Sequence, residues 1–80
     1  LTDRVFREAG HWALASDGVQ WTLMRRRSEE RGGWVPISFV HSSRDILARC
    51  MREKGVEHDA AAILLKGLPD TFDAWKALSH

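Results

Sequence analysis

The stretch from Trp12 to Leu23 reads WALASDGVQWTL, and apolar residues alternate with small or polar ones on either side of Asp17-Gly18. Asp-Gly is a strong short-range hairpin signal, because both residues tolerate the positive φ of a tight turn. A two-residue turn there pairs Ser16 with Val19, Leu14 with Trp21 and Trp12 with Leu23. Trp12, Leu14, Trp21 and Leu23 then share one face, and Ala13, Ala15, Gln20 and Thr22 share the other. Turn chemistry and apolar alternation agree on this pairing, as they must when one face is to be buried.

A third strand is expected from Trp34 to His41, beyond the polar loop SEERGG that starts at Ser28. Its odd positions Val35, Ile37 and Phe39 would join the apolar face. Pro36 has no N–H to give to a ladder, which assigns this segment to a sheet edge with Pro36 turned outward. The second half reads as helices. Ser42 is the expected cap of a helix from Ser43, with Asp45 at its third position and Ile46, Leu47, Cys50 and Met51 as its buried stripe. Gly55 is its expected stop. A second helix is expected over Glu57 to Lys66, burying Ala61, Leu64 and Leu65 and ending at Gly67. After Leu68-Pro69, Asp70 would cap a last helix whose apolar residues are Phe72, Trp75 and Leu78. The segment Thr2 to Ala9 is read as a helical turn, with an irregular arm as the alternative. The expected order is (α)βββααα. It gives one α+β domain over 1–80, with a three-stranded antiparallel sheet packed on one face by C-terminal helices.

Composition sets the outer limits. The 80 residues are 44% hydrophobic and 29% charged, which suits one small globular domain and argues against a disordered tail or a disulfide scaffold. No apolar run reaches the ~20 residues of a membrane helix, and no signal sequence opens the chain. The lone Cys50 suits a reducing compartment, so the expected location is the cytoplasm of a host cell. A first residue Leu1 in place of Met points to residues missing upstream or a removed tag, with the domain itself complete. Charge is uneven: residues 19–55 carry eight arginines and lysines against four carboxylates, while both ends are net acidic. The whole carries only +1, which is low for a dedicated nucleic-acid binder.

Catalytic and metal chemistry find little footing. Strand parity points His11 and His41 to different faces, His58 lies in the helical half, and no paired-cysteine or paired-histidine metal spacing is present. Cys50 falls in a buried stripe and not in the exposed, electropositive setting of a reactive thiolate. Ser38, Ser42 and Ser43 have no base partner, Asp70 and Asp73 are explained by helix capping, and Gly32-Gly33 does not open a helix as a phosphate loop would. The expectation is no enzyme, no metal and no cofactor. What remains is binding. Arg25, Arg26 and Arg27 end the second strand, and Arg31 and Trp34 come after them across the loop, with Glu29 and Glu30 at the rim. Alternation turns Arg26 and Trp34 to the face away from the helices, where Arg and Trp are suited to anchoring a partner. The competing reading is a charged rim that keeps an edge strand soluble.

The string WALASDGVQWTLMRRR, continued by GWVPISFVHSSRDILARCMREKG and LLKGLPDTFDAW, resembles small proteins carried by phages and mobile elements of high-GC proteobacteria. Anti-CRISPR proteins belong to this class. The resemblance implies a non-enzymatic inhibitor that docks on a bacterial protein or protein–RNA complex and occludes a functional surface. Many anti-CRISPR proteins are acidic DNA mimics, and this chain departs from them with an isoelectric point of about 8.2. The βββα order also resembles plant transcription-factor and integrase arm-binding DNA domains, which lay a three-stranded sheet in the major groove. That alternative implies duplex reading by Gln20, Thr22, Arg26, Trp34 and Ser38 beside the small Ala13 and Ala15, with Arg26 the single cation among them.

Overall fold

The computed structural model describes residues 4–27 and 33–78. Four strands, β1 (Arg4–Ala9), β2 (Trp12–Ser16), β3 (Trp21–Arg26) and β4 (Trp34–Val40), form one antiparallel sheet in the order β1-β2-β3-β4. Three helices come after them, α1 (Arg44–Glu53), α2 (His58–Leu65) and α3 (Phe72–Leu78). The α+β class is as expected, but the sheet has four strands and not three, because the segment read as an N-terminal helix is strand β1. Two features explain the misreading. Gly10, at φ +62°, turns the chain back between Ala9 and Trp12, and Gly at the first central position of a two-residue hairpin loop is a type II′ turn. A bulge between Val5 and Arg7 then breaks the two-residue period that would have marked a strand. Phe6, Arg7, Glu8 and Ala9 without that period look like helix. Thr2 and Asp3, in the same expected element, lie outside the described residues.

The central hairpin is also longer than expected at its tip. Ser16 pairs with Trp21, Leu14 with Leu23 and Trp12 with Arg25, so the loop is Asp17 to Gln20 and not Asp17-Gly18 alone. Asp17 Oδ1 accepts from the N–H of Val19 (2.9 Å) and of Gln20 (3.1 Å), and Ser16 Oγ accepts from Gly18 N–H (3.1 Å). Gly18 has φ +90° while Asp17 stays in the negative range, which excludes the two-residue type I′ turn. The slip is two residues, one full pleat, so every side chain that stays in the strands keeps its expected face, while Gln20 passes into the loop. In β4 the outcome differs. A bulge opposite Leu23 and Met24 falls at Ile37, beside Pro36, and inverts the parity beyond it. Phe39, expected in the core, is 56% exposed, and Val40 is buried in its place. Pro36 is exposed on an edge strand.

Side chains set the helix ends. Ser43, one residue later than the expected Ser42, caps α1 by accepting from Ile46 N–H at 3.3 Å. At the other end Gly55 N–H donates to the Arg52 carbonyl (3.2 Å) and Val56 N–H to the Met51 carbonyl (2.9 Å). This is the paired pattern of a Schellman stop, with Gly55 at φ +87°. Thr71, not Asp70, caps α3 through Ala74 N–H. Asp70 instead offers its backbone carbonyl to Arg44 N–H (2.8 Å), and Phe72 N–H donates to the Ser42 carbonyl (3.1 Å), so the starts of α1 and α3 are tied together. The last carbonyls of α2 receive side chains from two directions. Arg7 Nη1 donates to Leu64 (3.3 Å), Ile63 and Lys66, and Arg44 Nε to Leu65 (3.4 Å). Cations here also oppose the negative end of the helix dipole.

The main core lies between the sheet and the helices. Leu14, Trp21 and Leu23 meet Leu47, Met51, Leu64 and Phe72, all at most 2% exposed. Trp21 meets Phe72 edge-on at 5.4 Å between ring centroids, and Trp75 bridges from Phe72 (5.5 Å) to Phe6 (4.9 Å). Ile46 and Leu78, expected in the buried stripes, are 42% and 74% exposed. Cys50 is half-buried against this core. The shortest extent of the chain, 17 Å, is the thickness of a sheet and one helical layer. All three helices are on the same side, so the sheet has one covered face and one that no helix covers.

Candidate docking surface

The uncovered face carries Val5, Ala13, Ala15, Met24 and Trp34, which pack on one another as a small second cluster. Ala13 and Ala15 are fully buried because the longer Met24, Val5 and Trp34 lean over them. Thr22 lies beside them, also fully buried, and its hydroxyl has no hydrogen-bond partner among the described residues. Arg26, opposite Trp34 across β3 and β4, places its guanidinium 4.4 Å from the indole centroid. It also reaches over β2 to Glu8 of β1 at 3.6 Å. The layering is therefore alanine, then indole, then guanidinium, with Glu8 at the side. An exposed cation–π contact contributes about 0.5–1 kcal/mol and a surface ion pair about 0–1 kcal/mol, so this stack is held and still accessible.

The same end of the sheet repeats the arrangement on its other side. Trp12 stands directly opposite Arg25, whose guanidinium lies 5.7 Å from the indole centroid. Parity in β3 forces the split: consecutive arginines point to opposite faces, and each meets a tryptophan on the neighbouring strand. Arg27 continues the strand end, exposed, with its N–H donating to the Gly33 carbonyl at 2.8 Å. The backbone is fixed there as well, since Arg26 N–H donates to the His11 carbonyl at 2.7 Å. Two shallow grooves flank this end. One, of about 320 Å³, lies among Arg25, Arg26, Arg27, Val35 and Ile37. The other, of about 380 Å³, is bounded by His11, Trp12, Arg25, Arg26, Lys54 and Gly55.

Of the anchors expected from sequence, the structure gathers Arg25, Arg26, Arg27 and Trp34 at one end of the sheet, on two faces. Glu29, Glu30 and Arg31 lie outside the described residues. The duplex-reading set does not assemble: Gln20 is in the hairpin loop and Ser38 stands opposite Leu23 on the covered side, leaving Thr22, Arg26 and Trp34. Sequence reasoning missed the Trp12–Arg25 pair, because the shorter turn placed Leu23 opposite Trp12. It also missed Lys54, brought to the site by packing of α1 and marked by nothing in its neighbours in sequence. His11, His41 and His58 are exposed, and no group of three or more His, Cys, Asp or Glu that could hold a metal occurs among the described residues. No helix there is long and apolar enough to cross a membrane. Comparisons with family models, with curated proteins and with solved structures yield no match to this chain.

Proposed function

We propose that this protein is a non-enzymatic docking inhibitor of the anti-CRISPR kind. In this reading it acts in the cytoplasm of a bacterial host and seats the Arg25–Arg27 end of its sheet on a protein–RNA assembly. The observation that carries this is the pair of cross-strand arginine–tryptophan stacks, Arg26 on Trp34 and Arg25 on Trp12, at one end of a single strand. Arg and Trp are the residues most enriched where binding energy concentrates. Here they are presented with little ordering left to do on contact, since each guanidinium already rests on a ring. Among the described residues only Arg26 has a carboxylate partner, Glu8, so the remaining charge favours an anionic surface. The resemblance carried by the sequence supplies the class of partner.

Duplex reading by the sheet is the weaker alternative. Among the described residues the uncovered face is apolar between its edges, with exposed Phe39 and Pro36 and a single cation, Arg26, where phosphates would need several. The test is co-purification with a defined bacterial protein–RNA assembly. Wild type should retain the assembly, while the double variant Arg26→Ala with Trp34→Ala should lose it. Because Trp34 also covers Ala13 and Ala15, the single Arg26→Ala, which costs the fold about 2 kcal/mol at most through its stack and ion pair, is the milder arm and should weaken retention alone. Full retention by both variants refutes the proposal. A gel shift on random duplex DNA that weakens steeply with salt would put the DNA reader in its place.

A further inference from the structure

The groove bounded by His11, Trp12, Arg25, Arg26, Lys54 and Gly55 is built from three parts of the chain far apart in sequence. The Gly10-His11 turn forms one bank, the end of β3 the second, and the Schellman stop of α1 the third. Folding thus brings His11, Trp12, Arg25, Arg26 and Lys54 around one cleft. Among the described residues no carboxylate lines the cleft. Arg25 and Lys54 form no ion pair among the described residues, where Arg26 pairs with Glu8. Cations gathered without counter-charge repel one another, and an anion entering the cleft relieves that repulsion. The backbone on all three banks is fixed by its own hydrogen bonds, so the positions from which the cations extend are set before any ligand arrives.

We infer that this groove binds single-stranded nucleic acid, holding a phosphodiester between Arg25 and Lys54 and a base at the Trp12–Arg25 stack. At about 380 Å³ it admits a nucleotide unit, while a duplex would present its phosphates to the flat sheet face, where Arg26 is the one cation among the described residues. An indole beside cations is the recurring arrangement for strand binding: charge follows the backbone, and the aromatic takes any base. The inference rests on the docking proposal for its biological source, since it makes the RNA of the assembly the component contacted. The binding itself requires no assembly.

The experiment is fluorescence anisotropy of a labelled oligouridylate of about ten nucleotides titrated with the whole chain. Arms with oligothymidylate and with duplex DNA of the same length run alongside. Binding should be micromolar at low salt, and its logarithm should fall with log salt at a slope of about −0.7, the value for one neutralised phosphate of a single strand. Arg25→Glu and Lys54→Glu, both at exposed positions, should each weaken binding about tenfold, with the melting temperature unchanged in Lys54→Glu and slightly lowered in Arg25→Glu, which gives up its stack on Trp12. Trp12→Leu, which keeps an apolar side chain against the core, should weaken it several-fold. No anisotropy change up to the solubility limit, or wild-type affinity in both charge reversals, overturns the inference. Equal or tighter binding of the duplex overturns the single-strand assignment. Failure here with Arg26-dependent retention of the assembly intact would remove the strand groove and leave protein docking standing. The converse result, strand binding without retention, would sink the docking proposal alone.

Discussion

The two faces of the sheet reach the same degree of burial by different means. On the covered face Leu14, Trp21 and Leu23 are fully buried beneath α1, α2 and α3. On the uncovered face Ala13, Ala15 and Thr22 are equally buried, but beneath side chains of the sheet itself, chiefly Met24, Val5 and Trp34. The first is a core in which large groups interlock from two layers. The second is a single layer of side chains folded over small residues, with water on the far side. Exposure alone therefore says little about how much a residue stabilises the fold or how readily a partner reaches it. A cover made of Trp34 and Arg26 can be both the lid of a small cluster and the contact surface of a docking site.

The largest expected effect lies on the covered side. Trp21→Ala should cost about 3–5 kcal/mol, because it removes a fully buried indole that touches both Phe72 and Trp75 and leaves a cavity that the paired helices cannot fill. Met24→Ala, on the uncovered face, should cost about 2 kcal/mol, the lower end for such truncations, since its cover can settle onto the alanines. Chemical denaturation of the two variants measures both. Equal losses would mean that the uncovered cluster is as tightly built as the main core, and the contrast between the faces would fail.

Next in size is a gain. Thr22 buries its hydroxyl without a partner among the described residues, and such an orphan costs about 1–3 kcal/mol of desolvation. Thr22→Val keeps the shape and removes the orphan, so stability should rise by about 1 kcal/mol. A loss of stability in thermal melts would show that the hydroxyl is satisfied in solution, and that the uncovered face admits water or a partner group at that point.

The sequence carried more of the covered face than of the uncovered one, for physical reasons. Alternation placed Trp12, Leu14, Trp21 and Leu23 together, and the slip of two residues in the loop left them there, because the side-chain period is two. Bulges are different. Those at Phe6 and Ile37 each add one residue, shifting the rest of the strand by half a pleat, and they hid β1 and sent Phe39 outward. The helix starts read one residue early because Ser42 and Ser43, and likewise Asp70 and Thr71, are adjacent residues that both suit a cap. The Arg26–Trp34 contact was readable because parity alone put both on one face. The Arg25–Trp12 contact and the approach of Lys54 required the register and the packing of α1, which no local pattern encodes.

The smallest effect concerns the loop that allocates residues to the two faces. The Asp17 carboxylate accepts from the N–H of Val19 and then of Gln20, and these bonds hold its pKa below the ordinary 3.8, with the Val19 bond the larger cause. A carboxyl whose pKa is lower folded than unfolded contributes stability that is complete above the unfolded value. That contribution fades as pH falls through the folded one. Asp17→Asn keeps the acceptor oxygen and removes the charge, so it isolates this contribution from the other titrating groups. The difference in stability between wild type and Asp17→Asn should be constant above about pH 5, favouring wild type, and should shrink as acid takes the pH below 3.8. Since Asp17 lies half-buried in a surface loop, salt should narrow the difference further, and the whole effect should be smaller than that of any core substitution. A difference that grew on acidification would mean that the charge opposes the turn. The four-residue loop would then owe its length to Gly18 and Ser16, and the register that separates the two faces would be set without Asp17.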